Sequence, residues 1–98
     1  MKSEPVIATV KDLDNLDSAI NSKCTVIFLL CGNIFNLKGI VQRVHEKKKM
    51  IFIHVDLIDG FSRDAMALKY IHEQICPDGI ISTKNNQLKA ARELGMLT

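Results

Sequence analysis

Apolar positions along the chain follow two alternating rhythms. Four short runs, Pro5 to Val10, Thr25 to Cys31, Met50 to Val55 and Gly79 to Ser82, are rich in β-branched residues and almost continuously apolar. That is the pattern of parallel strands buried on both faces. Between the runs, apolar residues return every three or four positions: Leu13, Leu16 and Ile20; Leu37, Ile40, Val41 and Val44; Ala65, Leu68, Ile71 and Ile75; Leu88, Ala91 and Leu94. These are the stripes of amphipathic helices. Asp12, Ser62 and Asn85 or Asn86 are the expected N-caps, and Gly95 is the expected residue just past the last helix.

Strict alternation of strand and helix predicts an α/β fold with right-handed parallel crossovers, either an open doubly wound sheet or a closed barrel. Periodicity does not separate the two. The strand starts recur at roughly twenty- to thirty-residue intervals, which suits compact (β/α) units of a TIM-type barrel. Met96, Leu97 and Thr98 then read as the start of a fifth strand. Residues 1–98 are accordingly expected to form one N-terminal half-barrel: four strand-helix units and a cut strand. Four strands cannot close, so both sheet edges would be bare, and a homo-oligomer or cover by the missing half-barrel is expected.

Composition narrows the picture only slightly. With 98 residues, 47% hydrophobic and 24% charged, the chain fits one folded domain without extended disorder. The net charge of +2 is too small to mark a nucleic-acid binder by itself. Cys24, Cys31 and Cys76 are odd in number and lack a CxxC pair, which argues against a disulfide framework or structural zinc and fits a reducing cytoplasm. The first residues lack a signal-peptide core, and the longest apolar stretch, Val26 to Cys31, is far short of the roughly 20 residues a membrane helix needs. No membrane association and no cofactor is expected.

Chemistry in parallel β/α units gathers at the C-terminal strand ends, where helix N-termini present free N–H groups. His54 and Asp56, two apart at the end of the third run, fall on one face of a strand. They could receive ligand hydroxyls or carry a proton; equally, they could form a buried network that satisfies itself. Ser82, Thr83 and Lys84 lie between a strand and a helix, where they could cradle a phosphate or simply cap the helix. Lys38, Arg43, Lys47, Lys48 and Lys49 form the one dense basic cluster. It could meet RNA phosphates, or it could be a solvated helix end favoured by the macrodipole. No GxGxxG, P-loop, HExxH or nucleophile-elbow pattern occurs.

Several segments together carry a likeness: Phe28-Leu29-Leu30-Cys31-Gly32-Asn33-Ile34, the run His54 to Asp64, Asp78-Gly79-Ile80-Ile81-Ser82-Thr83-Lys84, and Ala90 to Thr98. In these the chain resembles the bacterial glycerol-3-phosphate-responsive antiterminator family, regulators of glycerol-utilisation operons. The resemblance implies a TIM-like barrel, glycerol 3-phosphate as effector and binding of leader mRNA, so that transcription passes a terminator. It also implies a chain roughly twice as long, continuing through the strand that Thr98 begins. Asn33, His54, Asp56, Ser82, Thr83 and Lys84 are then the expected ligand-end residues, with Asp56 holding hydroxyls and the 82–84 loop supplementing phosphate contacts. The main alternatives are a TIM-barrel enzyme acting on a phosphorylated sugar or triose through His54 and Asp56, and a half-barrel inactive on its own.

Overall fold

In the computed structural model, residues 6–61 and 65–98 are described. The expected cap Ser62 lies outside them. Strands β1 (Ile7–Val10), β2 (Val26–Leu29), β3 (Met50–His54) and β4 (Gly79–Ile81) alternate with helices α1 (Leu16–Ile20), α2 (Leu37–Glu46), α3 (Ala65–Tyr70) and α4 (Asn85–Glu93). All neighbouring strands pair in parallel, in the spatial order β1-β2-β3-β4. A doubly wound sheet would reverse direction at a switch point. This order never reverses, so the architecture is that of a partial TIM-type barrel. A fifth strand is begun: Leu97 bridges Gly79 in parallel, and the Ile80 amide donates to the Leu97 carbonyl at 2.9 Å.

The core lies between the sheet and the helices. Val10, Ile27, Leu29, Ile51, Ile53 and Ile80 point at Leu37, Ile40, Val41, Val44, Leu68 and Ile71, and all of these are buried. Every member of the stripe read on α2 is therefore a core residue. The opposite sheet face is uncovered: Ile7 is 49% and Met50 39% exposed. The expectation of strands buried on both faces is thus half right. The alternate positions are apolar, but among the described residues no second layer covers them.

Local signals explain the element ends. The Asp12 side chain accepts from the Asp14 amide and caps the helical turn Leu13–Asn15 that leads into α1, as the sequence predicts. At α4 the expected asparagine cap is displaced, because Lys84 holds the extended N-cap conformation and Asn85 is already helical. Past α3 the helix widens into one π turn, Ile71–Ile75, with the Cys76 amide donating to the Ile71 carbonyl at 2.8 Å. This keeps Ile71 and Ile75 buried. α4 ends with Gly95 at φ 85° while the Met96 amide reaches the Ala91 carbonyl and the Gly95 amide the Arg92 carbonyl, a Schellman motif at the expected glycine. Among the described residues, no helix is long and apolar enough to cross a membrane.

Gly79 is where the sheet is most tightly built. A Cβ there would lie 2.6 Å from both the Leu97 carbonyl oxygen and Phe52 Cε2. Gly79→Ala is therefore predicted to destabilise the fold by about 1–3 kcal/mol, read as a lower urea midpoint. Phe52→Leu in the same chain should recover part of that loss.

Candidate functional site at the strand C-terminal rim

Parallel strands share no hairpins, so their C-terminal ends must be joined by other bonds, and here each adjacent pair is joined. The Leu30 amide donates to the Val10 carbonyl at 2.9 Å, linking the ends of β1 and β2. The loops after β2 and β3 exchange two bonds of 3.0 Å, Ile34 amide to Asp59 carbonyl and Asp59 amide to Gly32 carbonyl. Between β3 and β4 the link is a side chain. The Ser82 hydroxyl lies 3.0 and 2.9 Å from the two Asp56 carboxylate oxygens, and Asp56 Oδ2 accepts from the Thr83 amide at 2.9 Å and the Thr83 hydroxyl at 3.1 Å. Ser82 Oγ in turn accepts from the Lys84 amide at 3.0 Å.

The predicted group His54, Asp56, Ser82, Thr83 and Lys84 thus shares one rim, although not for the reason alternation supplies. β3 stops at His54, and Asp56 lies in the 3-10 turn Val55–Leu57 that follows. That turn carries the carboxylate sideways towards β4. Its oxygens are engaged by the neighbouring loop, which makes Asp56 the organiser of the rim. Partial burial pushes the Asp56 carboxyl up, but the Thr83 amide, the Ser82 and Thr83 hydroxyls and nearby His54 outweigh it and hold the group below its ordinary value. A carboxylate so held is a weak general base at neutral pH.

His54 closes the uncovered face of β3, and its Nδ1 is buried without a hydrogen-bond partner among the described residues. Lys84, at the N-cap of α4, has no side-chain acceptor to offer the first helical amides. Asn33 stands at the same end of the sheet but serves its own turn. Its Oδ1 accepts from the Phe35 and Asn36 amides at 2.9 and 3.0 Å, while its amide donates to Asn36 Oδ1 at 2.9 Å. Cys31, just past β2, is kept a thiol, its pKa raised first by burial and then by Asp12.

The basic cluster divides in two. Lys38 sits in the first turn of α2, while Lys47 to Lys49 follow its last, at the opposite end of the sheet from Asp56. Arg43 is ion-paired with Asp17, and Lys49 Nζ donates to the carbonyls of Ser22 and Cys24 at 2.9 and 2.5 Å. Two of the five cations therefore hold the fold together.

Two further polar residues stand outside the groups singled out as chemical candidates. Asp78 mirrors Asp56 at the far end of the sheet, its Oδ2 accepting from the Ile51 amide at 2.8 Å and lying 2.9 Å from His45 Nε2. Gln87, in the first turn of α4, is buried with Nε2 unpartnered among the described residues. A glutamine among polar neighbours gives no periodic signal of burial.

A family model for the glycerol-3-phosphate responsive antiterminator matches residues 6–98. The chain belongs to that family. It is 43% identical over 95 residues to the uncharacterized protein YgcP of Escherichia coli (strain K12), covering 97% of this chain and 50% of YgcP. The glycerol uptake operon antiterminator regulatory protein of Listeria monocytogenes superposes with a TM-score of 0.90 at 27% identity, over 98% of this chain and 52% of that one. A glycerol uptake operon antiterminator-related protein of Thermotoga maritima gives 0.82 at 26% identity, over 96% and 52%. The chain spans about half the length of each.

In this member of the glycerol-3-phosphate responsive antiterminator family, the Asp56 junction makes a pH-dependent contribution. Its folded pKa lies below the unfolded one, so the contribution is present above the unfolded value of about 3.9 and is lost as pH falls through the folded value. The urea midpoint should fall over that acid range in the native chain and fall less in Asp56→Asn. At neutral pH, Asp56→Asn should cost about 1 kcal/mol, since this partly exposed rim is screened by solvent.

Proposed function

We propose that residues 1–98 supply the effector-sensing half of an antiterminator that binds glycerol 3-phosphate at the strand C-terminal rim and leader mRNA of a glycerol-utilisation operon in the cytoplasm. The observation that carries this reading is the Asp56 junction, which holds the Ser82 to Lys84 loop at the start of α4, beside a His54 Nδ1 that has no hydrogen-bond partner among the described residues. Amides at a helix start and the Lys84 ammonium suit a phosphomonoester. An imidazole nitrogen that meets no partner among the described residues suits a ligand hydroxyl. Asn33 steadies the adjoining loop of the same site.

The lowered pKa of Asp56 and the raised pKa of Cys31 leave neither group suited to acid-base or nucleophilic work at neutral pH, which favours regulation over catalysis. For RNA, Lys47 and Lys48 are the cations that carry the reading best, with Lys38 near the rim and with Arg43 and Lys49 fixing the surface on which they stand. Effector and RNA then meet opposite ends of the strands. Their coupling is a shift between two packings of the same barrel.

The protein made from its whole natural reading frame should bind its leader RNA about tenfold more tightly with saturating glycerol 3-phosphate than without it, measured by filter binding. Lys84→Gln should raise the effector concentration needed by about tenfold and leave effector-free RNA binding unchanged. Lys47→Glu with Lys48→Glu should weaken RNA binding and flatten its salt dependence. RNA affinity that does not respond to the effector would contradict the proposal.

A further inference from the structure

Two turns at the end of the sheet opposite Asp56 are built as one surface. The first, Asn21 to Thr25, joins α1 to β2; the second, Lys47 to Lys49, joins α2 to β3. Both lead into inner strands that are paired on each side, so the described chain itself bounds them. Lys49 Nζ ties the turns together by donating to the Ser22 and Cys24 carbonyls at 2.9 and 2.5 Å, and the Met50 amide donates to the Thr25 carbonyl at 3.0 Å. Those first two carbonyls flank Lys23. The Ser22 hydroxyl pins the same turn from within, donating to the Ala19 carbonyl at 2.7 Å and accepting from the Cys24 amide at 3.2 Å. Lys23 is therefore an exposed cation on a turn held from two directions.

The second turn is a Schellman motif, in which the Lys48 amide donates to the His45 carbonyl at 2.9 Å and the Lys49 amide to the Val44 carbonyl at 3.2 Å. Its left-handed residue, with φ 60°, is Lys48. The same position after α4 is filled by Gly95, and glycine adopts this backbone without the penalty a Cβ brings. At the end of α2 the chain keeps a lysine at a conformational cost. The helix macrodipole favours cations at this end, but it does not call for one in the glycine position. Together the two turns hold four lysines against Glu46, a density that the net charge of +2 hides. Of the acids paired with the last turns of α2, Asp17 is engaged by Arg43 and Asp78 by His45.

Resting on the RNA-binding reading above, we propose that Lys23, Lys47 and Lys48 are three backbone-phosphate contacts of one RNA site, and that Lys49 is the positioning residue that holds the turn carrying Lys23 against the turn carrying the other two. Lys48 supplies an ammonium where glycine would supply none. Contacts of this kind bring affinity and salt dependence but no sequence preference.

Filter binding of leader RNA to the protein made from its whole natural reading frame, repeated over a range of salt, tests the surface. Lys23→Gln should weaken binding about three- to tenfold, lower the salt slope by about one, and do so equally for an unrelated RNA of the same length. Lys48→Gly should have the same effect on RNA while raising the urea midpoint, and these opposite movements separate a lost contact from a damaged fold. Lys49→Gln should lower the urea midpoint and, unlike a merely structural loss, remove most of the effect of a further Lys23→Gln. An unchanged salt slope in Lys23→Gln and Lys48→Gly would overturn the surface, whether RNA meets another face or these lysines meet an acidic protein, and RNA binding itself would stand. No RNA binding by the native protein would overturn both.

Discussion

One carboxylate ties the loops that follow the last two strands of this sheet. β3 and β4 pair in parallel as far as His54 and Ile81, and beyond that point no hairpin joins the loops that follow them. Asp56 joins them by accepting from the Ser82 hydroxyl, the Thr83 amide and the Thr83 hydroxyl. Asp78 does the same at the other end through the Ile51 amide and His45. Two aspartates, one at each end, set the β3–β4 pair on which the rest of the rim is built.

Much of the fold is legible in the sequence because burial imposes a period. All four apolar residues of the α2 stripe are core, and the four β-branched runs are the four strands. Barrel and open sheet are not separable by period, since both bury strands and stripe helices alike; the unreversed strand order decides between them. The uncovered face was not legible either, because Phe28, Met50 and Phe52 are as apolar as residues buried on that side would be. Their composition answers to a covered barrel interior, whatever chain provides the cover.

The site was legible in its members and less so in its roles. Asp56 stands out beside His54, but strand alternation places the pair in a way that the 3-10 turn after His54 changes. Asn33 stands at the rim and also staples its own turn, a local role that its residue type alone does not announce. The lysine cluster reads as one patch, yet Lys38 is parted from Lys47 to Lys49 by the length of α2, and Lys49 bonds two backbone carbonyls. Asp78 acts through tertiary partners and Gln87 is buried in the first turn of α4, neither of which a local period announces. The family assignment rests on longer segments and covers residues 6–98.

The central claim is that the Asp56 carboxylate, ionised and bonded across the strand pair, organises the rim. Following the Thr83 amide resonance through an acid titration tests it most directly, because that proton reports the charge on its acceptor. The account predicts a large upfield movement on acidification, with a midpoint below the ordinary aspartate value of about 3.9, and no such movement in Asp56→Asn. A Thr83 amide that does not titrate, or one with its midpoint at or above that value, would contradict it.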